Sequence, residues 1–200
     1  MSQIKIFKFF SVPVFEFQVE NYENINFELL NFIYSLKKEN PDGLIRSNAG
    51  GWHSPFFKMK ENETVKKFIK SFNGPLFNIV TKQMGWNCSA NQIIIINMWA
   101  IVNKKNTFNL RHSHPNSLLS AAYYVKANDQ SGEIKFFDPK DAKTMRHPEI
   151  SIYNDLSSDT VKIKPEEGKL LIFPSYIHHA VEENLSDQDR VVISFNIDIK

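Results

Sequence analysis

The chain has 200 residues, 42% of them hydrophobic and 23% charged, which is enough for one domain with a single well-filled core. No apolar run reaches the roughly 18 residues that span a bilayer, and residues 1–5 do not open a continuous apolar stretch, so neither a membrane segment nor a signal peptide is expected. The net charge is +2, from 24 basic and 22 acidic residues, and the lysine pairs at 37–38, 66–67 and 104–105 have acids nearby, so no basic stripe for a nucleic-acid partner is expected; Cys88, the only cysteine, rules out an internal disulfide and fits a reducing cytoplasm.

Residues 4–19 are rich in Phe and Val and alternate imperfectly, which predicts one or two strands broken at Pro13. The period then changes. Ile25, Leu29, Phe32, Ile33 and Leu36 mark one face of a helix that the polar cluster at residues 39–43 stops. A second helical pattern runs through Val65, Phe68, Ile69, Phe72, Leu76, Ile79 and Val80, with Gly74-Pro75 expected to kink or divide it. From Ile93 short strand-like runs follow one another, at 93–102, 118–125, 133–137, 160–163, 169–173, 177–182 and 190–199, with turn chemistry between most of them. Two helices followed by many β runs predict a mainly β domain with helices packed on one side, and a jelly roll is the natural candidate. We find no internal repeat and no linker, so residues 1–200 read as one domain, with helical support over about 21–85 and a β core over about 91–200. Residues 138–149 lack a pattern, and 47–54 form a glycine-containing loop in which Trp52 and His53 suit either a lid or substrate edge or, for Trp52, plain packing.

Four of the six histidines fall in two short segments of the strand-rich half, His112-Ser113-His114 and His178-His179. Residues i and i+2 of a strand share a face, so His112 and His114 can converge on one point. His178 and His179 point oppositely, so one of them at most can join. Three ligands from two distant segments leave open coordination positions, as non-haem iron sites require.

The run H-S-H-P-N-S-L-L-S-A-A-Y-Y-V with S-G-E-I-K-F-F-D-P resembles the first metal motif of the 2-oxoglutarate/Fe(II) oxygenases, the prolyl-hydroxylase-like group in particular. E-G-K-L-L-I-F-P-S-Y-I-H-H-A-V and R-V-V-I-S-F-N resemble that group's closing half, and S-N-A-G-G-W-H-S with N-M-W-A-I-V-N is similar to a bacterial and phage subgroup whose substrates are poorly defined. The resemblance implies a double-stranded β-helix, iron(II) as metal, and 2-oxoglutarate and O2 as co-substrates. It implies hydroxylation of an unidentified small-molecule or protein substrate, with release of succinate and CO2. It makes His112 and His179 ligands, leaves His178 outside the set, pairs Arg190 with the far carboxylate of 2-oxoglutarate, and gives Tyr124 a share in binding it. The position that commonly holds Asp or Glu is His114 here. A third imidazole is the expected ligand, with Asp138 as the alternative carboxylate.

A hairpin over residues 184–189 would set Glu183 against Arg190 and His179 against Ser194, so that Arg190, Ser194 and His179 share one face. Arg190 would then lie roughly 13 Å along the strand from the metal level, at about 3.3 Å per residue. A guanidinium's planar fork suits a carboxylate. Two other readings compete. A cupin-type metal enzyme would use Gly168, Pro174, His179 and Asn184 but lacks the expected glutamate after His-x-His. A non-catalytic jelly-roll binding or virion-associated protein would have little use for the three histidines together with Arg190.

Overall fold

The computed structural model describes residues 4–140, 145–146 and 148–200. The elements in chain order are β1 (Phe15–Gln18), α1 (Tyr22–Glu39), β2 (Asn48–Ala49), β3 (Trp52–His53), α2 (Glu63–Asn78), β4 (Ile93–Asn103), β5 (Phe108–His112), β6 (Leu119–Lys126), β7 (Ile134–Phe137), β8 (Thr160–Ile163), β9 (Lys169–Pro174), β10 (His179–Val181) and β11 (Arg190–Ile199). Two antiparallel sheets form, in the orders β1-β9-β6-β11-β4-β3 and β2-β5-β10-β7-β8. This is the expected double-stranded β-helix. Among the described residues no helix is long and apolar enough to cross a membrane.

Period-two alternation divides the large sheet's side chains between two cores. Met98, Ala100, Val102, Ala121, Tyr123, Ile193 and Phe195 face the helices and pack with Leu29, Ile33, Val65, Phe68 and Phe72. Ala122, Tyr124, Leu171, Phe173 and Val192 face the small sheet and pack with Ile134 and Phe136. Both helices therefore cover one side, as their apolar stripes predict. One polar residue joins the α1 stripe: Asn26 is buried and accepts a 2.6 Å hydrogen bond from the Tyr123 hydroxyl. The Asn62 side chain caps α2 by accepting from Val65 N at 3.0 Å.

The structure departs from the sequence expectations in several places. Only Phe15–Gln18 of the first segment is a strand. Continuing its register on β9, from Phe15 opposite Ile172, sets Pro13 opposite Pro174, and neither residue has an N–H to extend the ladder. Pro75 does not divide the second helix, which continues to Asn78 and widens into a π turn over Ile79–Gln83. Strands β2 and β3 join the sheets from the segment read as helical support, so the sheets draw on residues well before 91. Finally, β10 and β11 are not a hairpin: β10 lies between β5 and β7, while β11 lies between β4 and β6 in the other sheet. The patternless stretch 138–149 falls partly outside the described residues, His147 included.

Candidate metal and co-substrate site

Between the sheets lies a cavity of about 500 Å³ that His112, His114 and His179 all line. His179 pairs with His112 on one side and Phe136 on the other, so the first and last histidines are cross-strand neighbours with ring centroids 4.3 Å apart. His114 reaches the same point by another route than sequence predicts. The strand ends at His112, and His114 sits in the following turn, its N–H donating to the Ser175 carbonyl at 2.9 Å. Its ring centroid is 5.1 Å from that of His112 and 5.0 Å from that of His179. One ligand nitrogen from each of the three lies within 4.8 Å of the other two, so the group could hold a metal ion.

The tautomers follow from what each Nδ1 meets. His112 Nδ1 faces the Leu110 carbonyl at 2.7 Å, His179 Nδ1 the Ile177 carbonyl at 3.1 Å, and His114 Nδ1 the Asn196 Oδ1 at 2.8 Å. Each partner is an acceptor, so each Nδ1 carries the ring hydrogen and each Nε2 keeps its lone pair. The Ser120 hydroxyl donates to the same Asn196 oxygen at 2.8 Å and fixes that amide. Burial is the main reason that the rings stay neutral: it lowers His112, holds His114 down at about 4, and with the other two histidines takes His179 to about 3. His178 is exposed and outside the group, and Asp138 is away from the cavity, one Oδ1 accepting from Lys140 N at 2.9 Å.

Arg190 opens β11 and is fully buried. It shares the cavity face of that strand with Val192, Ser194 and Asn196, so parity places it as expected. Its strand partners differ from the hairpin expectation: Arg190 pairs with Asn103, and Ser194 with Trp99 and Ala122. One end of the guanidinium is held by backbone, Nη1 donating to the carbonyls of Ser131, Glu182 (2.9 Å) and Gly132 (3.4 Å). The other edge is bare. Nε and Nη2 are buried and have no hydrogen-bond partner among the described residues. Burial lowers its pKa to about 10, so it remains a cation at neutral pH. Tyr124, also buried and lining the cavity, has its pKa pushed up by burial and keeps its proton. Ser194, 8% exposed, lines the same floor.

Trp52 is a core residue: it packs on the helix side, and its Nε1 donates to the Asn40 carbonyl at 2.8 Å, which excludes a lid role. His53, its neighbour, lines the cavity. Asn196, Asn103 and Asn97 also line it and escape a reading based on charge and hydropathy. The period-two pattern alone places Asn97 and Asn103 on Trp99's face and Asn196 on Ser194's.

The fold and this pocket define a class: jelly-roll oxygenases that work with a metal and 2-oxoglutarate. Among solved structures with this fold are a Pseudomonas putida prolyl-4-hydroxylase, 11% identical, covering 94% of each chain at a TM-score of 0.65, and HygX from Streptomyces hygroscopicus with nickel and 2-oxoglutarate bound, 10% identical, covering 95% of this chain and 84% of that one at 0.65. The viral collagen prolyl hydroxylase of Paramecium Bursaria Chlorella virus-1, in complex with 2-oxoglutarate, is 14% identical and covers 92% and 94% at 0.56. No curated protein matches in sequence. Residues 97–196, half the chain, match the family described as "Putative 2OG-Fe(II) oxygenase", and the chain belongs to that family. Its cofactors are accordingly iron(II) and 2-oxoglutarate.

Proposed function

We propose that this protein is an Fe(II)- and 2-oxoglutarate-dependent dioxygenase that hydroxylates a substrate still to be identified, consuming O2 and releasing succinate and CO2. In this reading residues 1–200 act as one domain, and the lone cysteine suits a reducing cytoplasm. The observation that carries the reading is Arg190. A fully buried guanidinium with two unpartnered nitrogens, and no Asp or Glu among the described residues lining its cavity, is costly unless an anion joins it. Nε and Nη2 form the side-on edge of the fork that takes a carboxylate through two hydrogen bonds.

His112, His114 and His179 would hold the iron through Nε2, their rings set by Leu110, Asn196 and Ile177. Bound there, iron with 2-oxoglutarate and O2 supplies the oxidising chemistry, which is the cofactor's own. The chain's contribution is placement and dryness. Arg190 would bind the far carboxylate of 2-oxoglutarate, the protonated Tyr124 hydroxyl would donate to it, and Ser194 would line the path between anchor and metal. Phe136 and Phe173 flank His179, with ring centroids at 6.1 and 4.9 Å, and keep water from that side. Three neutral imidazoles would leave the metal's charge uncompensated by protein, and the co-substrate dianion would supply the counter-charge.

Anaerobic titration with iron(II) and then 2-oxoglutarate tests this reading. A visible metal-to-ligand charge-transfer band is expected. Its absence in folded, iron-loaded protein would overturn the proposal.

A further inference from the structure

Part of the cavity is claimed neither by the three histidines nor by Arg190. At the β3 edge of the large sheet, alternation sends Trp52 into the helix-side core and His53 into the cavity. His53 is 4% exposed and stacks on Trp99, with centroids 5.7 Å apart and planes within 10°. Trp99 also meets the His114 ring at 5.5 Å, so this wall adjoins the metal-competent group. His53 Nδ1 lies 2.6 Å from the Ser54 carbonyl and so carries the ring hydrogen, which leaves Nε2 as an acceptor. Among the described residues Nε2 has no hydrogen-bond partner. Burial, with Arg46 and His112 nearby, lowers the pKa of His53 and keeps the ring neutral.

Asn97 lies two residues from Trp99 on the same face of β4, and its Oδ1 is buried without a partner among the described residues. Phe56 packs on Trp99 at 5.9 Å and is 60% exposed at the mouth. A phenylalanine at 53 could stack on Trp99 equally well, so packing alone leaves His53 Nε2 unused. The described residues lining the cavity include no carboxylate to receive an ammonium group, while Arg46 stands at this side.

We propose that His53 Nε2 and Asn97 Oδ1 accept hydrogen bonds from hydroxyl or N–H groups of the substrate, whose apolar body lies on Trp99 and Phe56. The substrate class is then a neutral or acidic, largely apolar molecule bearing a hydrogen-bond donor, and not a cation. This rests on the reading of His112, His114 and His179 as the metal site beside it. A site built from acceptors discriminates against analogues that lack the donor, because acceptors such as the buried Asn97 Oδ1 are then left unpaired.

Two matched probe pairs test the proposal on protein loaded with nickel(II) and 2-oxoglutarate: benzyl alcohol against benzyl methyl ether, and indole against 1-methylindole. Dissociation constants come from saturation-transfer NMR. The donor of each pair is expected to bind about two- to tenfold more tightly, the equivalent of one net hydrogen bond. His53→Phe, which keeps the stacked ring, should remove most of that advantage, and His53→Gln should restore part of it. Affinity for 2-oxoglutarate should stay at the wild-type value in both. Equal affinities within each pair on the unchanged chain would overturn the proposal, whether or not the variants fold. So would a donor advantage that survives His53→Phe combined with Asn97→Leu, or no binding by any probe at millimolar concentration. Nickel and 2-oxoglutarate loading is measured first; failure at that step defeats the metal reading instead, and the probe comparison is still readable on the metal-free protein.

Discussion

Asn196 Oδ1 lies 2.8 Å from His114 Nδ1, and this contact orients the one metal-competent histidine that has no strand to hold it. Removing such an outer partner typically costs about 10- to 100-fold in metal affinity. Asn196→Leu should therefore weaken iron binding by about that factor while the chain stays folded. Equilibrium titration with iron(II), alongside a far-ultraviolet spectrum, measures both. Unchanged affinity would mean that His114 is not a ligand.

Alanine at His112, His114 or His179 should each abolish tight iron binding, and His178→Ala should leave it intact, since His178 is exposed and outside the cluster. His114→Asp should still bind iron, because it creates a two-histidine, one-carboxylate set. Metal content after dialysis against limiting iron reads out all five variants.

Arg190→Ala deletes the charge that would face the far carboxylate. Truncating one partner of a buried charge pair costs about 2–5 kcal/mol, so 2-oxoglutarate affinity should fall by roughly 30-fold to several-thousand-fold. Iron affinity should hardly change. Arg190→Lys should recover only part of the loss, since an ammonium keeps the charge but not the two-pronged edge. The charge-transfer band against 2-oxoglutarate concentration gives all three affinities.

Acid should destabilise the metal-free protein in a defined window. His114 and His179 have folded pKa values of about 4 and about 3 against an ordinary 6.5, so between those limits the unfolded chain binds more protons than the folded one. Stability therefore falls as pH drops below about 6.5, and the loss levels off below the folded values. Thermal midpoints measured from pH 7 to pH 4 should decline, and a His179→Phe variant should decline less.

Much of the site is legible in the sequence because it depends on parity. Arg190, Ser194 and Asn196 share a face by count alone, and that face is right although the hairpin used to argue it does not exist. What escapes is written in polar residues that behave as buried ones. In β5 the buried residue is Asn109, while Phe108 and Leu110 are 38% and 54% exposed, so hydropathy gives no strand there. His114 converges through a turn, which no strand rule foresees. The pairing of β10 with β5 and β7 is a long-range choice that no local pattern records.

Gly132 offers a fifth test. Its φ is 77°, and a Cβ there would sit 2.5 Å from the Glu182 carbonyl oxygen and 2.6 Å from that of Glu183. Gly132→Ala should destabilise the fold by about 1–3 kcal/mol. It should also weaken 2-oxoglutarate binding, because the Gly132 and Glu182 carbonyls help to hold Arg190. Denaturant midpoints and the same charge-transfer titration separate the two effects.

The grip on Arg190 is made by peptide oxygens, and a peptide oxygen is the same whatever residue carries it. Side chains at 131 and 182 can drift without loosening the guanidinium, provided the chain keeps its course past it. What the grip needs at these two positions is backbone path and not residue identity. Substitutions at 131 or 182 that leave φ and ψ unchanged therefore leave the geometry of this contact unchanged as well.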